Sequence, residues 1–251
     1  MDLIAALGTV PHRGSDPVSR VSLNRYLVIN EAEPFRHTFK SNQVDVNPMK
    51  VLPATVDNIK KASDIVRTGG VVIYPTETVY GLGCAPQINS AARRICEIKG
   101  RADKPLPLAC SSLTVTRKVV EFNPAAERLA ERFWPGPLML VLPAIMEYGI
   151  YVTHGAKTLG VRVPDHEVSR SLARQCGGVI VSTSANKAGE APPTTAEGAI
   201  QQIGKEVDIV IDGGPTPGAL PSTVLDLSGE QLWVLRSGPI TGTQIKEALG
   251  A

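Results

Sequence analysis

The stretch GGVVIYPTETVYGLGC, residues 69–84, decides the reading of this chain. Ahead of it, apolar residues recur at helical spacing (Val56, Ile59, Ala62, Ile65, Val66), and Gly69-Gly70 stops the helix. Val71 to Tyr74 then reads as a buried strand. Behind it the chain turns polar, with Thr76, Glu77, Thr78 and Tyr80 ahead of Gly81-Leu82-Gly83. So much hydrogen-bonding chemistry at a strand's exit marks a pocket edge. Pro75 to Tyr80 is expected to form its wall, and Gly81 to Gly83 the bend by which the chain leaves.

The same alternation continues downstream. Helical patterns fall at 90–99, 124–133, 166–176, 194–204 and 241–249, and strands at 138–142, 159–163, 178–183, 207–211, 223–227 and 232–236. Such alternation predicts a mixed α/β sheet covered by helices, with 49–251 as one domain. Residues 1–48 read as an appendage, disordered or loosely packed, with Pro11, Pro17 and Pro34, mixed charge and little periodicity. Asp2, Asp16, Glu31 and Glu33 argue against a transit peptide.

Composition excludes several classes. No apolar run approaches the roughly 20 residues that span a bilayer, so no membrane role is expected. Cys84, Cys96, Cys110 and Cys176 show no CxxC spacing, which fits buried, reduced thiols and a cytoplasmic location. Lys and Arg total 26 against 24 Asp and Glu, so global charge does not announce a nucleic-acid binder. Locally, Arg93, Arg94, Lys99, Arg101 and Lys104 outnumber Glu97 and Asp103, a stretch able to hold phosphate. His12, His37, His154 and His166 form no metal-like cluster, and no metal site built from protein side chains is expected.

Standard nucleotide and nucleophile signatures are missing. Gly198 to Lys205 has one residue too many for a phosphate loop, Gly81-Leu82-Gly83 is not continued to a dinucleotide fingerprint, and Ser184 lies in no GxSxG elbow. Three further segments share the layout of the opening stretch. In EIKGRADKPLPL (97–108), Lys99, Arg101 and Lys104 gather around a glycine at a helix end, suiting polyphosphate oxygens or simply the helix dipole. In VIVSTSANKAGEAPPTT (179–195), Ser182, Thr183, Ser184 and Asn186 crowd a strand's C-terminal end, where α/β sheets bind ligands and where polar turns also occur. In KTLGVRVPDH (157–166), Arg162 sits inside a strand; buried, it requires an anionic partner or a wet cleft, and on an edge strand neither. LPSTVLDLS (220–228) and WVLRSGP (233–239) add Ser222 and Arg236, while FWPGPLMLVLP (133–143) reads as architecture.

Taken in order, GGVVIYPTETVYGLGC, IKGR…KPL, WPGPLMLVL, LGVRVPDH, STSAN…G…PTT, DIVIDGG, STVLDL and LRSG resemble the YrdC-type threonylcarbamoyl-AMP synthases, in their short single-domain form, from about Met49 onward. The resemblance implies a twisted, mixed, open α/β sheet around a deep, concave, basic cleft. It implies synthesis of L-threonylcarbamoyladenylate from L-threonine, bicarbonate and ATP with magnesium, releasing pyrophosphate, for threonylcarbamoyladenosine formation in tRNA. The adenylate would pass to a downstream threonylcarbamoyl-transferase complex. The family's KxR…SxN signature matches Lys99, Arg101, Ser184 and Asn186 as catalytic residues. Carry-over puts Thr78, Arg162, Ser184 and Ser222 around threonine, and Lys99, Arg101, Lys104, Thr158, Asn186, Thr194 and Arg236 around ATP.

This chain departs from the family in two places. Arg101-Ala102-Asp103-Lys104-Pro105 replaces the usual Arg-Pro run, so Lys104 is reached across a gap, and Ala109 or Cys110 stands where many members carry a histidine. A different class is a non-catalytic module binding tRNA or double-stranded RNA, against which stand the near-neutral charge and the 4% aromatic content. A carbamoyl-transfer domain of the hydrogenase-maturation type is disfavoured by the lack of CxxC.

Overall fold

In the computed structural model, residues 50–100, 104–218 and 220–250 are described; the expected appendage lies outside them. Among the described residues eleven strands form two mixed sheets flanked by helices. The first sheet has five strands in the order β1 (Lys50–Pro53), β9 (Ile209–Asp212), β2 (Val72–Tyr74), β3 (Gly81–Gly83), β8 (Thr183–Ser184). The second has six, in the order β11 (Trp233–Arg236), β10 (Thr223–Asp226), β5 (Leu138–Pro143), β6 (Thr158–Arg162), β4 (Leu108–Cys110), β7 (Val179–Val181). The α/β class and the covering helices are as expected, and the sheet is divided in two.

The division falls inside one predicted strand. The run 178–183 ends at Val181, and Ser182 carries the chain from β7 in the second sheet to β8 in the first. Ser182 N–H donates to the Pro107 carbonyl at 2.8 Å, while Val181 N–H donates to the Cys84 carbonyl at 2.9 Å. Two neighbouring residues therefore bond to different parts of the fold, and the strand cannot continue straight.

The opening stretch forms a hairpin rather than a strand and a bend. Gly81–Gly83 is itself a strand, antiparallel to β2, with Tyr74 opposite Gly81 and Val72 opposite Gly83. Side chains alternate across a strand, so Gly81 and Gly83 share a face. The buried Tyr74 ring fills it: a Cβ on Gly81 would lie 3.2 Å from the ring, and one on Gly83 2.9 Å from it. The glycines are there to admit an aromatic ring.

Strand β2 is apolar throughout because both of its faces are covered. Val71 and Ile73 join one hydrophobic cluster with Ala91, Ala92 and Ile95 of helix α2 (Asn89–Lys99). Val72 and Tyr74 join a second cluster, with Ile59, Ala62 and Val66 of α1 (Val56–Arg67) and Leu172 and Ala173 of α6 (Glu167–Gln175). Thr55 caps α1, its hydroxyl accepting from Asn58 N–H, and Gly100 ends α2 in the left-handed conformation (φ 65°). Between these come α3 (Leu113–Thr116), α4 (Pro124–Phe133) and α5 (Ile150–Thr153), then α7 (Ala196–Ile203) and α8 (Gly242–Leu249). Among the described residues no helix is long and apolar enough to cross a membrane.

Candidate functional site

At the seam between the sheets lies a cavity of about 230 Å³. Thr76, Thr78 and Tyr80 from the 75–80 loop line it, with Lys99 from the end of α2, Arg162 from the end of β6, and Ser182, Ser184 and Asn186 from the sheet crossover. Ser222 and Arg236 complete the opposite wall. Among the described lining residues there are three cations and no carboxylate, which makes this a place for anions.

The 75–80 loop is held by its own hydroxyls. Thr76 Oγ1 donates to the Val79 carbonyl at 2.7 Å and accepts from the amides of Thr78 and Val79. With its one proton committed, Thr76 receives the proton of Thr78 Oγ1, 2.9 Å away. Thr78 is thereby left as an acceptor, and Arg162 Nη1 donates to it at 3.3 Å.

Arg162 is the centre of the polar cluster. Strand β6 is paired on both sides, with β4 and β5, so this is not an edge-strand arginine. Its side chain is 6% exposed, and Nη1 donates to Ser222 Oγ at 2.6 Å and to Glu77 Oε1 at 2.9 Å. Both alternatives read from sequence apply, since the guanidinium has a carboxylate partner and faces a cleft. Glu77 is 13% exposed, and the pair is desolvated on both sides. All three bonds leave from Nη1; Nη2 and Nε carry none to the described residues. The unspent edge of the fork is the one able to take a planar anion.

Lys99, 3% exposed, turns its ammonium away from the end of its own helix and across to the crossover. Nζ donates to the Ser184 carbonyl at 2.7 Å and to Asn186 Oδ1 at 3.0 Å, with Ser184 Oγ at 3.4 Å. Dipole complementarity therefore does not account for it. Asn186 is fixed in turn, its Nδ2 donating to the carbonyls of Lys187 and Glu190. Arg236, exposed at the rim, donates from Nε to the Ser222 carbonyl at 2.9 Å. Gly238 is pressed so tightly on this turn that a Cβ would come within 2.5 Å of the Pro221 carbonyl.

Of the residues expected from sequence, Thr78, Lys99, Arg162, Ser184, Asn186, Ser222 and Arg236 come together in this cavity. Arg101 lies outside the described residues. Lys104 is exposed, and Lys104, Thr158 and Thr194 do not belong to the lining. Thr158 does share a face of β6 with Gly160 and Arg162, roughly 13 Å along the strand from Arg162. Among the described cations of the stretch 93–104, Arg93 pairs with Glu97 and Arg94 with Asp208, while Lys99 faces the cavity.

Met139 and Tyr74 were passed over in the sequence, and Glu77 was read only as part of the expected wall. Glu77 gave no signal beyond its position in the loop. Met139 lies in an apolar strand that reads as core throughout, yet β5 alternates buried and half-buried, and Met139 lines the cavity. Tyr74 lies behind Gly81; burial pushes its phenol up to about 12, against the opposing pulls of the Ser182 hydroxyl and the Arg162 charge.

Two mixed sheets meet at a seam whose cavity is lined by cations and hydroxyls, an α/β fold built around a polar cleft. The profile of the Sua5/YciO/YrdC family, described as telomere recombination, matches residues 64–238, and the chain belongs to that family. It is 38% identical over 194 residues to a threonylcarbamoyl-AMP synthase of Pyrococcus abyssi, covering 76% of this chain and 57% of that protein. With a threonylcarbamoyl-AMP synthase of Idiomarina loihiensis it shares 35% identity over 183 residues, 70% of this chain and 97% of the relative. The solved structure of P. abyssi Sua5 complexed with L-threonine superposes with a TM-score of 0.76 at 36% identity, over 80% of this chain and 61% of that one. Against the P. abyssi relative, this chain spans a little over half the length, 57%.

Proposed function

We propose that this chain is a nucleotidyltransferase making L-threonylcarbamoyladenylate from L-threonine, bicarbonate or CO2, and ATP, with release of pyrophosphate. The body from residue 49 onward would carry the catalysis. The observation that carries the reading is the cavity itself, which presents Lys99 and the unspent edge of Arg162 with no lining carboxylate among the described residues. The names of the relatives and the threonine complex of one solved relative support it.

Threonine's carboxylate would take Nη2 and Nε of Arg162, with the hydroxyls of Thr78, Ser184 and Ser222 around its amine and hydroxyl. The neutral amine attacks the carbon of CO2, forming an N–C bond and giving up a proton to become a carbamate. A carbamate oxygen then attacks the α-phosphorus, and the bond to the bridging oxygen breaks as pyrophosphate leaves. No protein nucleophile is needed. The protein's work is to align two anions and screen their repulsion, the task for which Lys99, Arg101 and Asn186 are suited.

The cavity is smaller than the roughly 300–1,000 Å³ of drug-sized ligand sites. It suits the amino acid and the reacting phosphate, with the rest of ATP extending along the rim by Arg236 and toward Lys104, Thr158 and Thr194. The nucleotide would enter as its magnesium complex, held by phosphate oxygens and water. The product is a reactive mixed anhydride, to be consumed in the cytoplasm by a threonylcarbamoyl-transferase complex acting on tRNA, with direct RNA contact at most secondary. The test is pyrophosphate release by the full chain: it should require both threonine and bicarbonate. Release from ATP that is unchanged without threonine would overturn the reading.

A further inference from the structure

Four buried side-chain polar atoms lack a partner among the described residues, Tyr74 Oη, Glu77 Oε2, His166 Nδ1 and Gln202 Oε1, and two of these, Glu77 Oε2 and His166 Nδ1, belong to side chains that act on one another. Buried polar atoms are nearly always satisfied, so two orphans in one region call for an account. They are complementary, because a carboxylate oxygen accepts and one imidazole nitrogen donates. Nor is His166 spent elsewhere. It precedes α6 at the cap position, but its side chain makes no capping bond.

The charges around the ring narrow the choice. Burial lowers the pKa of His166 and the carboxylate of Glu77 raises it, with Arg170, Asp165 and Glu167 as the other charged neighbours. Arg170 engages Asp165 at 3.1 Å and Glu167 at 3.3 Å. Asp165 and Glu167 are exposed to solvent, so Glu77 is the buried carboxylate neighbour, with one oxygen left over. Its other oxygen already holds Arg162.

We propose that Glu77 and His166 are positioning residues for Arg162: Nδ1–H of His166 donates through one buried water to Glu77 Oε2, while Glu77 Oε1 holds Nη1. The open edge of the guanidinium is thereby aimed into the cavity. This deepens the functional reading above, and rests on Arg162 as the clamp for the threonine carboxylate. A fork turned by a small angle loses one of its two parallel bonds, and misplacement of about 1 Å costs up to about a hundredfold in rate.

The experiment titrates the full chain with L-threonine and ATP, measuring KM for each and kcat, in wild type, Arg162→Lys, Glu77→Gln, His166→Ala and His166→Asn. Asn keeps a donor near the place of Nδ1–H, and Ala does not. Glu77→Gln and His166→Ala are expected to raise the threonine KM about tenfold, with the ATP KM unmoved, and His166→Asn to restore most of the loss. Threonine KM values at the wild-type level in Glu77→Gln and His166→Ala, or no rescue by Asn, would overturn the proposal. A second readout stands apart from activity and from variants that fail to fold. The ¹⁵N imidazole spectrum of the wild-type chain should show neutral His166 protonated at Nδ1, and the Nε2-protonated tautomer would sink the proposal. If threonine dependence is absent altogether, the functional reading fails, while this spectrum still decides the relay.

Discussion

The ammonium of Lys99 lies 3.0 Å from Asn186 Oδ1, joining the last residue of α2 to the loop beyond the sheet crossover. Lys99 is thus held by the same segment that supplies Ser184 to the cavity. The lysine has a task that neither its helix nor the core requires.

Lys99→Met keeps the length of the side chain and removes the charge. Pyrophosphate release dependent on threonine should fall by about 10²- to 10³-fold, the scale seen when one electrostatic donor is taken from a transition state. The circular dichroism spectrum should stay as in wild type. Activity within a few-fold of wild type would show that the lysine serves only the crossover.

Arg162 separates charge from geometry. Arg162→Lys keeps a cation beside Glu77 but loses the fork, so threonine affinity should fall about ten- to a hundredfold with little change in stability. Arg162→Met leaves Glu77 buried without its partner, and breaking a buried pair from one side costs about 3–5 kcal/mol. Urea unfolding of the two variants distinguishes them. Equal midpoints would mean that the Glu77 charge is not a burden on the fold.

Much of this molecule was legible in its sequence because its signals were local. Helix periods, glycine stops and polar clusters at strand exits located most elements and the polar segments around the cavity, and the resemblance to a known family picked out seven of the cavity's residues. What stayed hidden depends on contacts distant in the chain. Gly81-Leu82-Gly83 looked like a bend because glycine is permissive, whereas it is a strand whose bare face accommodates Tyr74. The division of the sheet at Ser182 follows from bonds to Pro107 and Cys84 that no local pattern announces. Met139 was unreadable because a strand apolar on both faces does not say which face meets the cavity.

The glycine face of β3 can be tested by filling it. In Gly83→Ala the new methyl would stand 2.5 Å from the Val181 carbonyl and 2.9 Å from the Tyr74 ring, neither of which can move without disturbing the core. Overpacking of this kind costs about 1–3 kcal/mol, to be read as a lower urea midpoint with unchanged slope. Gly81→Ala, whose methyl would meet the ring at 3.2 Å, should cost less. A reversed order of midpoints would contradict the stacking.

Alkaline pH should unfold the protein from within. Burial pushes the Cys84 thiol up to about 12, with Cys96 and Cys176 adding to the effect, and the Cys110 thiol up to about 11, from an ordinary 9.0. In the unfolded chain these thiols lose their protons near pH 9, while the folded chain holds them until its raised pKa is reached. The unfolded state therefore binds fewer protons across this window, and stability falls as pH rises from about 9 toward 11–12. Each thiol contributes a slope of at most about 1.4 kcal/mol per pH unit. Urea midpoints should be flat below pH 8.5 and fall above 9, and Cys84→Ala should have the shallower fall. The same burial withholds the thiolate, so iodoacetamide at pH 8 should leave Cys84 and Cys110 unlabelled until urea is added. Rapid labelling of either in the folded chain would show that its thiol reaches solvent.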